Sequence, residues 1–369
     1  MKFFCSLESL NKILGICESV ISSKNSITIL SNIHIKAKDN RLTIKACDTL
    51  ISFYGEIGAD VEEEGEICLN SNKLYSIARK LPSDEIEIQS DSDLNIQIKA
   101  KGKNTLRYNL KGISPDKFPE ILDTSSVNYF SIPKQIFADM VNKTKFAVSQ
   151  NDNRKFAIGT LFEYEDGKLR MVTTDGKRLA KIEKNVDVKD SFSKVVVPPK
   201  ILQEALKICN GDDKGDLKIG INEKEIFINV DNCFFISNLL DSGFPSYQSV
   251  IPTNSSKQFK VNRKDFKDAI DRVSVMGEKD THKVIISLMS DKMKIYSENM
   301  TYGDGEETID IEYDNEDIKI AFNFSYITDV ISVIKNDNLI FKFNNASSTI
   351  VILEEDNQDY IYIMMPMSV

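Results

Sequence analysis

The feature that most constrains this chain is a repeat of about 127 residues. An apolar strand pattern that runs directly into a helical pattern begins at Phe3, and it recurs at Phe130 and at Phe259. A short strand followed by a helix also occurs three times, with the helical stretches at residues 72–80, 199–207 and 325–335. Solenoid units are only about 20 to 50 residues long, whereas this repeat has the length of a whole domain. We therefore expect three similar domains in succession.

Between its two helices, each repeat carries alternating apolar and polar runs that are typical of strands, as at residues 27–37, 160–164 and 283–288. The pattern predicts two helices and about seven or eight short strands in each repeat. The fold class is therefore expected to be α+β, with helices packed on antiparallel sheets. Polar segments at 123–126 and 253–257 predict domain limits that give domains at 1–125, 126–254 and 255–369.

The overall composition is that of an ordinary globular protein, with 41% hydrophobic and 28% charged residues. No apolar run approaches the roughly 18 residues needed to cross a bilayer, and Glu8, Asn11 and Lys12 interrupt any signal-peptide core. The six cysteines include no Cys-x-x-Cys pair, which predicts buried, reduced thiols and neither disulfides nor zinc. We expect a cytoplasmic protein with no membrane contact.

The net charge of −9 argues against a protein that grips nucleic acid by its overall charge. Any contact with DNA would need a segregated basic surface. Lysines and arginines are indeed enriched on or beside the predicted helices of all three repeats, although acids are interspersed and a solvated helix face explains any one of them. These cations are Lys12, Lys73, Arg79, Lys80, Lys134, Lys143, Lys145, Lys200, Lys207, Arg263, Lys264, Lys267, Arg272 and Lys335.

The sequence offers no recognisable catalytic or metal-binding constellation. Its two histidines, His34 and His282, have no cysteine or carboxylate at ligand spacing. There is no phosphate-binding glycine loop and no nucleophile elbow. The acidic run 303–307 lacks the alternating oxygens of a calcium loop and is expected at a hairpin tip. A hydrolase that used Asp48 or Asp175 would lack a partner base. We expect no cofactor and no enzymatic activity.

The most informative local stretch is residues 169–180, where an alternating strand runs into Asp175-Gly176 and two cations. Asp-Gly is a strong turn signal because glycine adopts positive φ without steric cost. Taken alone, this is an ordinary hairpin with a charged tip. The strand that ends at Asp48 repeats the pattern 127 residues earlier.

Four motifs together resemble one family: Thr-Asp-Gly-Lys-Arg-Leu at 174–179, Phe-Pro-Ser-Tyr at 244–247, Phe-Asn-Phe-Ser-Tyr at 322–326 and Met-Pro-Met at 365–367. With the three strand–helix repeats, they are similar over the full length to the bacterial DNA polymerase III beta subunits, the replicative sliding clamps. The resemblance implies the DNA clamp fold and a head-to-tail dimeric ring that encircles duplex DNA. It also implies a non-catalytic processivity factor in DNA replication.

Domain size is consistent with such a ring. A domain of about 127 residues has a diameter of roughly 35 Å. Three such domains leave a gap of only a few Å, whereas six leave a hole of roughly 35 Å, wider than a duplex of about 20 Å. A three-domain chain could therefore encircle DNA only as a dimer, and rotational closure requires head-to-tail contacts. A ring holds DNA by enclosing it and needs no tight contact with the phosphates, so the net charge of −9 is compatible with DNA binding.

The resemblance assigns two of the surfaces. For the dimer interface it implies an edge around Arg107, Tyr108 and Leu110 that meets Val275 and Met276 of the partner, with acids facing a basic edge that includes Lys103 and Lys111. The implied acids are Asp304, Glu306 and Glu307. For DNA contact at the ring face, it implies Lys24, Asn151, Arg154 and Phe156, although a core role is equally compatible with Phe156.

The third implied surface is a groove that binds short linear peptides of the polymerase III alpha subunit, the clamp loader, and repair or translesion polymerases. An apolar pocket with a few polar groups suits a Leu or Phe anchor. Carried over position by position, its lining is Thr174, Gly176, Lys177, Arg178, Leu179, Pro245, Val250, Asn323, Tyr326, Ser348, Met365, Pro366 and Met367.

Several positions depart from the family pattern. Lys177 stands where histidine is common, Ala157 and Ala346 replace larger apolar residues, and Ser249 and Ser368 replace arginines. We expect a roomier groove that is less basic at one edge, with a changed peptide preference. The alternative to a ring is a three-domain peptide-binding scaffold that does not encircle DNA.

Overall fold

The computed structural model describes residues 1–21, 28–101, 106–120, 127–149, 152–188, 192, 194–209 and 214–369. Within these residues the chain forms six α-helices and twenty-five β-strands, and all the strand pairs are antiparallel. The α+β class predicted from the repeat is therefore confirmed.

The described elements repeat in nearly the same order three times. The first repeat contains β1 (Lys2–Ser6), α1 (Leu7–Val20), β2 (Asn32–Lys38), β3 (Arg41–Cys47), β4 (Ile51–Gly58), β5 (Asp60–Glu63), β6 (Gly65–Asn70), α2 (Ser71–Ala78), β7 (Glu85–Ser90), β8 (Asn95–Ala100) and β9 (Arg107–Lys111). The second contains β10 (Tyr129–Pro133), α3 (Lys134–Thr144), β11 (Thr160–Glu165), β12 (Lys168–Thr174), β13 (Arg178–Asn185), β14 (Val195–Val197), α4 (Pro199–Cys209), β15 (Asp216–Ile221), β16 (Glu225–Val230) and β17 (Cys233–Asn238). The third contains β18 (Lys257–Asn262), α5 (Arg263–Val273), β19 (Lys283–Met289), β20 (Lys292–Asn299), β21 (Gly303–Asp310), β22 (Ile318–Asn323), α6 (Phe324–Val333), β23 (Asn338–Phe343), β24 (Ile350–Glu354) and β25 (Asn357–Met364). Because β5 is additional, the first repeat has nine described strands and not the predicted seven or eight.

The chain divides into two compact units, and the middle repeat contributes to both. Unit 1 comprises Met1–Gln135 and Lys200–Leu239, and unit 2 comprises Ile136–Pro199 and Leu240–Val369. The domain limits after residues 125 and 254 stay a prediction from the sequence repeat. The first of them lies outside the described residues.

Unit 1 contains a five-stranded sheet in the order β5-β1-β7-β8-β9 and an eight-stranded sheet in the order β10-β15-β16-β17-β4-β3-β2-β6. Helix α1 begins at once after β1 because the side chain of Ser6 accepts a hydrogen bond from the backbone N–H of Ser9. The helix buries Leu10, Leu14 and Cys17, which recur with the helical period on one face.

Unit 2 contains an eight-stranded sheet in the order β14-β11-β12-β13-β25-β24-β23-β18 and a four-stranded sheet in the order β21-β20-β19-β22. One of its apolar clusters forms where β12, β13 and β25 lie side by side, and it consists of Leu161, Val172, Leu179, Tyr247, Val351 and Ile363. This cluster lies beneath the candidate site described below.

Several elements begin or end at residues other than those predicted from the sequence. Helices α2 and α6 each begin one residue before the predicted stretch, because Asn70 and Asn323 cap their first turns by accepting backbone N–H bonds. The run predicted as a strand over 27–37 is a 3₁₀ turn at Thr28–Ser31 followed by β2, and residue 27 lies outside the described part of the chain. The acidic run 303–307 begins strand β21 and is not a hairpin tip, which instead lies at residues 300–302.

All six cysteines are buried and unpaired, as the sequence predicted. Burial raises the pKa of several of their thiols, to about 12 for Cys5, so they behave as small apolar side chains. No helix in the described ranges has both the length and the apolar character needed to cross a bilayer.

Candidate functional site

The turn between β12 and β13 is built by its own side chains. The Asp175 carboxylate accepts hydrogen bonds from the backbone N–H groups of Lys177 at 2.9 Å and Arg178 at 3.0 Å. The Thr174 hydroxyl donates to the carbonyl of Arg178 at 2.6 Å and accepts from the N–H of Gly176 at 3.0 Å. Gly176 has φ of +89°, which a side chain would oppose. The Thr-Asp-Gly-Lys-Arg motif is thus a self-capped turn.

Arg178 links this turn to neighbouring elements through its guanidinium. Its Nε donates to Asp175 at 3.0 Å, Nη1 donates to Asp329 on α6 at 2.6 Å, and Nη2 donates to the carbonyl of Phe146 at 2.6 Å. The guanidinium also lies 4.3 Å from the ring centroid of Tyr326. Burial opposes the charge, but Tyr362 and the two carboxylates raise the pKa of Arg178 above its usual range. Each of its three nitrogens thus donates a hydrogen bond to a group within the protein.

An open, largely apolar groove of about 520 Å³ lies beside the turn. Nine of the thirteen residues predicted for peptide binding line it together, namely Thr174, Gly176, Lys177, Arg178, Leu179, Pro245, Val250, Ser348 and Met365. The volume and the character of the lining are those of a small-molecule or side-chain pocket. Val250 and Met365 are about half exposed, at 51% and 56%, so apolar surface is available to a ligand.

The other four predicted residues do not line this groove. Asn323 caps α6, and Tyr326 packs against the guanidinium of Arg178. Pro366 is half-buried, and Met367 donates its N–H to the carbonyl of Ala321 at 2.8 Å. They support the elements that carry the groove.

The sequence missed part of the lining, which comprises Ser246, Tyr247, Pro252, Asn344, Thr349, Ile363 and Met364. Ser246 and Tyr247 belong to the Phe-Pro-Ser-Tyr motif, so that motif could have predicted their place in the lining. Ile363 and Met364 lie on β25, where they pair with Leu179 and Arg178 of β13. Nothing local in the sequence predicts that register.

Arg154 and Phe156, predicted as DNA contacts, also line the groove. The Arg154 guanidinium forms two hydrogen bonds with Asp152, at 2.9 and 2.6 Å, and donates to the carbonyl of Asp175 at 3.1 Å. The guanidinium bonds to Asp152, with a third bond from the backbone N–H of Arg154, lower the pKa of Asp152 to about 2. Phe156 packs edge-on against Phe244 with ring centroids 5.9 Å apart. Lys24 and Asn151 lie outside the described residues, and the DNA role of all four stays a prediction.

The positions that depart from the family pattern have different surroundings. Ser249 lines the groove, and its hydroxyl donates to the carbonyl of Ser246 at 2.8 Å. Ala157 is fully buried, Ala346 is half-buried and Ser368 is exposed, and none of these three contributes to the groove lining.

Several of the lysines predicted on basic helix faces form ion pairs within the protein. Lys134, 1% exposed, binds Asp231 at 2.6 Å, and Lys143, 5% exposed, lies 2.7 Å from Glu354. Lys200 donates to Asp48 at 2.6 Å. Lys134 and Lys143 are thereby buried and Lys200 is half-buried. The remaining exposed cations on or beside the helices include Lys207 and Arg272, which contact Glu204 and Glu307. The others are Lys12, Lys73, Arg79, Lys80, Lys145, Lys264 and Lys335.

Six of the eight residues predicted for the dimer interface lie on two sheet edges, each described within its own unit. Arg107, Tyr108 and Leu110 belong to β9, the last strand of the five-stranded sheet in unit 1. Edge strands present backbone groups that can pair with another chain.

In unit 2, β21 is the last strand of the four-stranded sheet and carries the predicted acids Asp304, Glu306 and Glu307. Glu306 lies 2.5 Å from Lys294, and Glu307 lies 2.5 Å from Arg272. The predicted apolar residues follow α5: Val275 is 79% exposed, and Met276 packs beside the start of β21.

Among the described residues, no group of three or more His, Cys, Asp or Glu side chains has the arrangement of a metal site. The sequence did not reveal one neighbour of a histidine. His34 has a carboxylate neighbour, since its Nε2 lies 3.0 Å from Glu66, which is close because β2 and β6 are paired. Burial and the nearby Lys45 lower the pKa of His34 despite Glu66, so the ring is neutral at pH 7.

Three family models match the chain in succession. They describe the N-terminal, central and C-terminal domains of the DNA polymerase III beta subunit and match residues 1–122, 131–246 and 248–368. A beta sliding clamp from Treponema pallidum is 30% identical over 372 residues, covering 100% of this chain and 99% of the relative.

Solved structures agree with these matches. The DNA polymerase III subunit beta from Pseudomonas aeruginosa is 28% identical, with a TM-score of 0.93 and 100% coverage of both chains. The sliding clamp from Bartonella birtlesii bound to griselimycin is also 28% identical, with a TM-score of 0.94 and the same coverage.

The repeated fold defines the class of DNA sliding clamps, which are processivity factors without catalytic activity of their own. Within that class, the chain belongs to the DNA polymerase III beta subunit family.

Proposed function

We propose that two copies of this chain close head to tail into a ring around duplex DNA, and that the groove beside the Asp175 turn receives short peptides of replication and repair proteins. These partners are the polymerase III alpha subunit, the clamp loader and the repair or translesion polymerases. The protein would act in the cytoplasm, which agrees with its buried, unpaired cysteines.

The observation that carries the peptide proposal is the groove itself. It combines apolar surface at Leu179, Val250 and Met365 with exposed polar groups, and Gly176 keeps the turn open above it. Apolar pockets of this kind take the aliphatic or aromatic anchors of linear peptides, while a few polar groups set the direction. Met365 suits several partners in turn because its side chain adapts its shape.

Opposite charge and open edges support the ring. The edge strand β9 carries Arg107 and Lys111, whereas β21 carries Asp304 and Glu306. Pairing β9 of one copy with β21 of the next would satisfy both edges, and the charges would favour that register over self-pairing. On the same strand, Glu307 and Glu306 already contact Arg272 and Lys294, so the added gain from charge is modest.

The ring is tested by molecular mass and by topology. The wild-type chain should elute near twice 41.8 kDa, and Val275→Asp should convert it to the monomer because a charge would be buried at the interface. Leu50→Asp is the matched control, since Leu50 is also exposed, at 52%, but lies outside the predicted interface. After loading by its clamp loader with ATP, the protein should stay on nicked circular plasmid and leave when the plasmid is cut. A monomer, or equal retention on linear DNA, would favour the scaffold without a ring.

The groove is tested by truncation. Deleting residues 365–369 removes Met365 and the hydrogen bond from its N–H to the carbonyl of Lys177. We expect loss of binding to a fluorescein-labelled peptide that carries the Leu/Phe-containing C-terminal segment of the organism's own alpha subunit, while the dimer survives. Normal binding by the truncated dimer would show that the groove is assigned wrongly. Griselimycin, bound in the Bartonella birtlesii clamp structure, serves as a second probe that should compete with the peptide.

A further inference from the structure

A buried carboxylate lies behind one wall of the groove. Glu163 on β11 has a side chain that is only 2% exposed, yet it touches three polar groups. The Tyr247 hydroxyl donates to its Oε2 at 2.5 Å, Lys194 forms an ion pair with its Oε1, and Arg170 lies 3.7 Å away. Glu163 itself does not line the groove.

Tyr247 connects this carboxylate to the groove. Its ring is 4% exposed, belongs to the apolar cluster with Leu179 and Ile363, and lines the groove. The residue also begins the 3₁₀ turn Tyr247–Val250, which carries Val250 to the groove mouth. The position of this wall therefore depends on where the tyrosine ring is held.

The hydrogen bond is well suited to hold it. Burial would raise the pKa of Glu163, but the ion pair with Lys194, the hydrogen bond from Tyr247 and the charge of Arg170 lower it, so the carboxylate is ionised. Burial and the bond to Glu163 raise the pKa of Tyr247, so its hydroxyl keeps its proton and donates. A hydrogen bond to a buried charge is stronger than a neutral one.

We propose that Glu163 is a positioning residue for the peptide groove, which acts through the Tyr247 hydroxyl to hold the wall at 247–250 and does not touch the bound peptide. The inference rests on the proposed function, because the groove must be the peptide site. It adds a residue outside the lining that controls peptide affinity.

The experiment measures the affinity of the fluorescein-labelled alpha-subunit peptide by anisotropy, with thermal unfolding recorded for every variant. Tyr247→Phe keeps the ring and removes only the hydroxyl. Glu163→Ala removes the acceptor, and Glu163→Gln keeps an oxygen that can accept the same bond. If losing the bond leaves the wall correctly placed for about a tenth of the time, affinity falls about tenfold.

We expect Tyr247→Phe and Glu163→Ala to bind about tenfold more weakly than the wild type. Glu163→Gln should stay within about threefold of the wild type, because the hydrogen bond is restored. The matched control is Glu354→Ala, since Glu354 is also 2% exposed and ion-paired, with Lys143 at 2.7 Å. Unlike Glu163, it bonds Lys143 and Asn357, and neither of these lines the groove. Glu354→Ala should lower the unfolding temperature and leave peptide affinity unchanged.

Three results would overturn the proposal. They are wild-type affinity in Tyr247→Phe, equal losses in Glu163→Gln and Glu163→Ala, or an equal loss of affinity in Glu354→Ala. Failure of the proposed function looks different, because the wild-type protein would then not bind the peptide, or would still bind it normally without residues 365–369.

Discussion

The two eight-stranded sheets share one strand order and one kind of capped turn, but the residues around that turn differ. In unit 1 the strand order from β10 to β6 matches, position by position, the order from β18 to β14 in unit 2. The hairpin β3–β4 corresponds to β12–β13, and three residues separate the strands in both. In each turn an aspartate, Asp48 or Asp175, accepts the backbone N–H bonds of the residues two and three positions later.

The difference lies in what surrounds the two aspartates. Asp48 receives its cation from α4, where Lys200 also donates to the carbonyl of Val20 at 2.6 Å. Asp175 receives its cation from Arg178, the first residue of β13, which also donates to the carbonyl of Phe146. A similar capped turn therefore serves two sheets. The groove of unit 2 depends on residues added around the turn, namely Gly176, the end of β25 and the wall at 247–250.

The largest expected effect comes from exchanging each cation for an apolar chain of similar length. Arg178→Met should destabilise the β12–β13 turn by about 3–5 kcal/mol, because it leaves Asp175 without its buried partner. It should also abolish peptide binding. Lys200→Met should cost about 1–3 kcal/mol at the turn of unit 1 and leave peptide affinity unchanged. Amide hydrogen exchange in the two turns measures the stabilities, and equal peptide loss in both variants would contradict the comparison.

Acid should weaken the two units at different pH. His34 in unit 1 has a lowered pKa, so protonation favours the unfolded state and stability falls as the pH drops below about 6.5. In unit 2, Lys168, Lys181 and Arg170 lower the pKa of Glu183 to about 2 although burial opposes them. Its contribution, up to about 3 kcal/mol, is present above pH 4.5 and is lost as the pH falls toward 2. Hydrogen exchange at several pH values should show unit 1 losing stability at a higher pH than unit 2. Glu183→Gln should remove only the loss of stability between pH 4.5 and 2 in unit 2.

A smaller effect separates turn strain from groove function. Gly176 has φ of +89°, and Gly167 in the β11–β12 turn has φ of +75°. Alanine at either position should cost about 1 kcal/mol because both conformations disfavour a side chain. A Cβ at Gly176 would also lie 3.1 Å from the guanidinium of Arg154, whereas Gly167 faces open space. Only Gly176→Ala should weaken peptide binding, by about threefold or more. Equal binding by both variants would show that the Gly176 turn does not contribute to peptide affinity.

Much of this comparison is visible in the sequence because its causes are local. The Asp-Gly turn, the strand–helix starts and the aspartate echo at Asp48 all follow from neighbouring residues, and the structure has each of them. What the sequence did not reveal depends on distant pairing. Ile363 reaches the groove through the register of β25 with β13, and Glu163 meets Tyr247 across 84 residues. Burial of Lys134 and Lys143 likewise depends on tertiary partners, so their charges were wrongly placed on solvent faces.

The smallest expected effect concerns the exposed residue two positions after the capping aspartate, which is Leu50 in unit 1 and Lys177 in unit 2. The test replaces Lys177 with the leucine of the other turn. Lys177 lines the groove mouth on an exposed side chain. Lys177→Leu should weaken binding of a peptide with Asp beside its apolar anchor by about two- to fivefold, the range of an exposed ion pair. The same peptide with Asn should bind both proteins equally, and the difference should shrink at 1 M salt, where the Debye length is about 3 Å. An equal loss for both peptides would mean that Lys177 contributes apolar contact by its aliphatic chain and not charge.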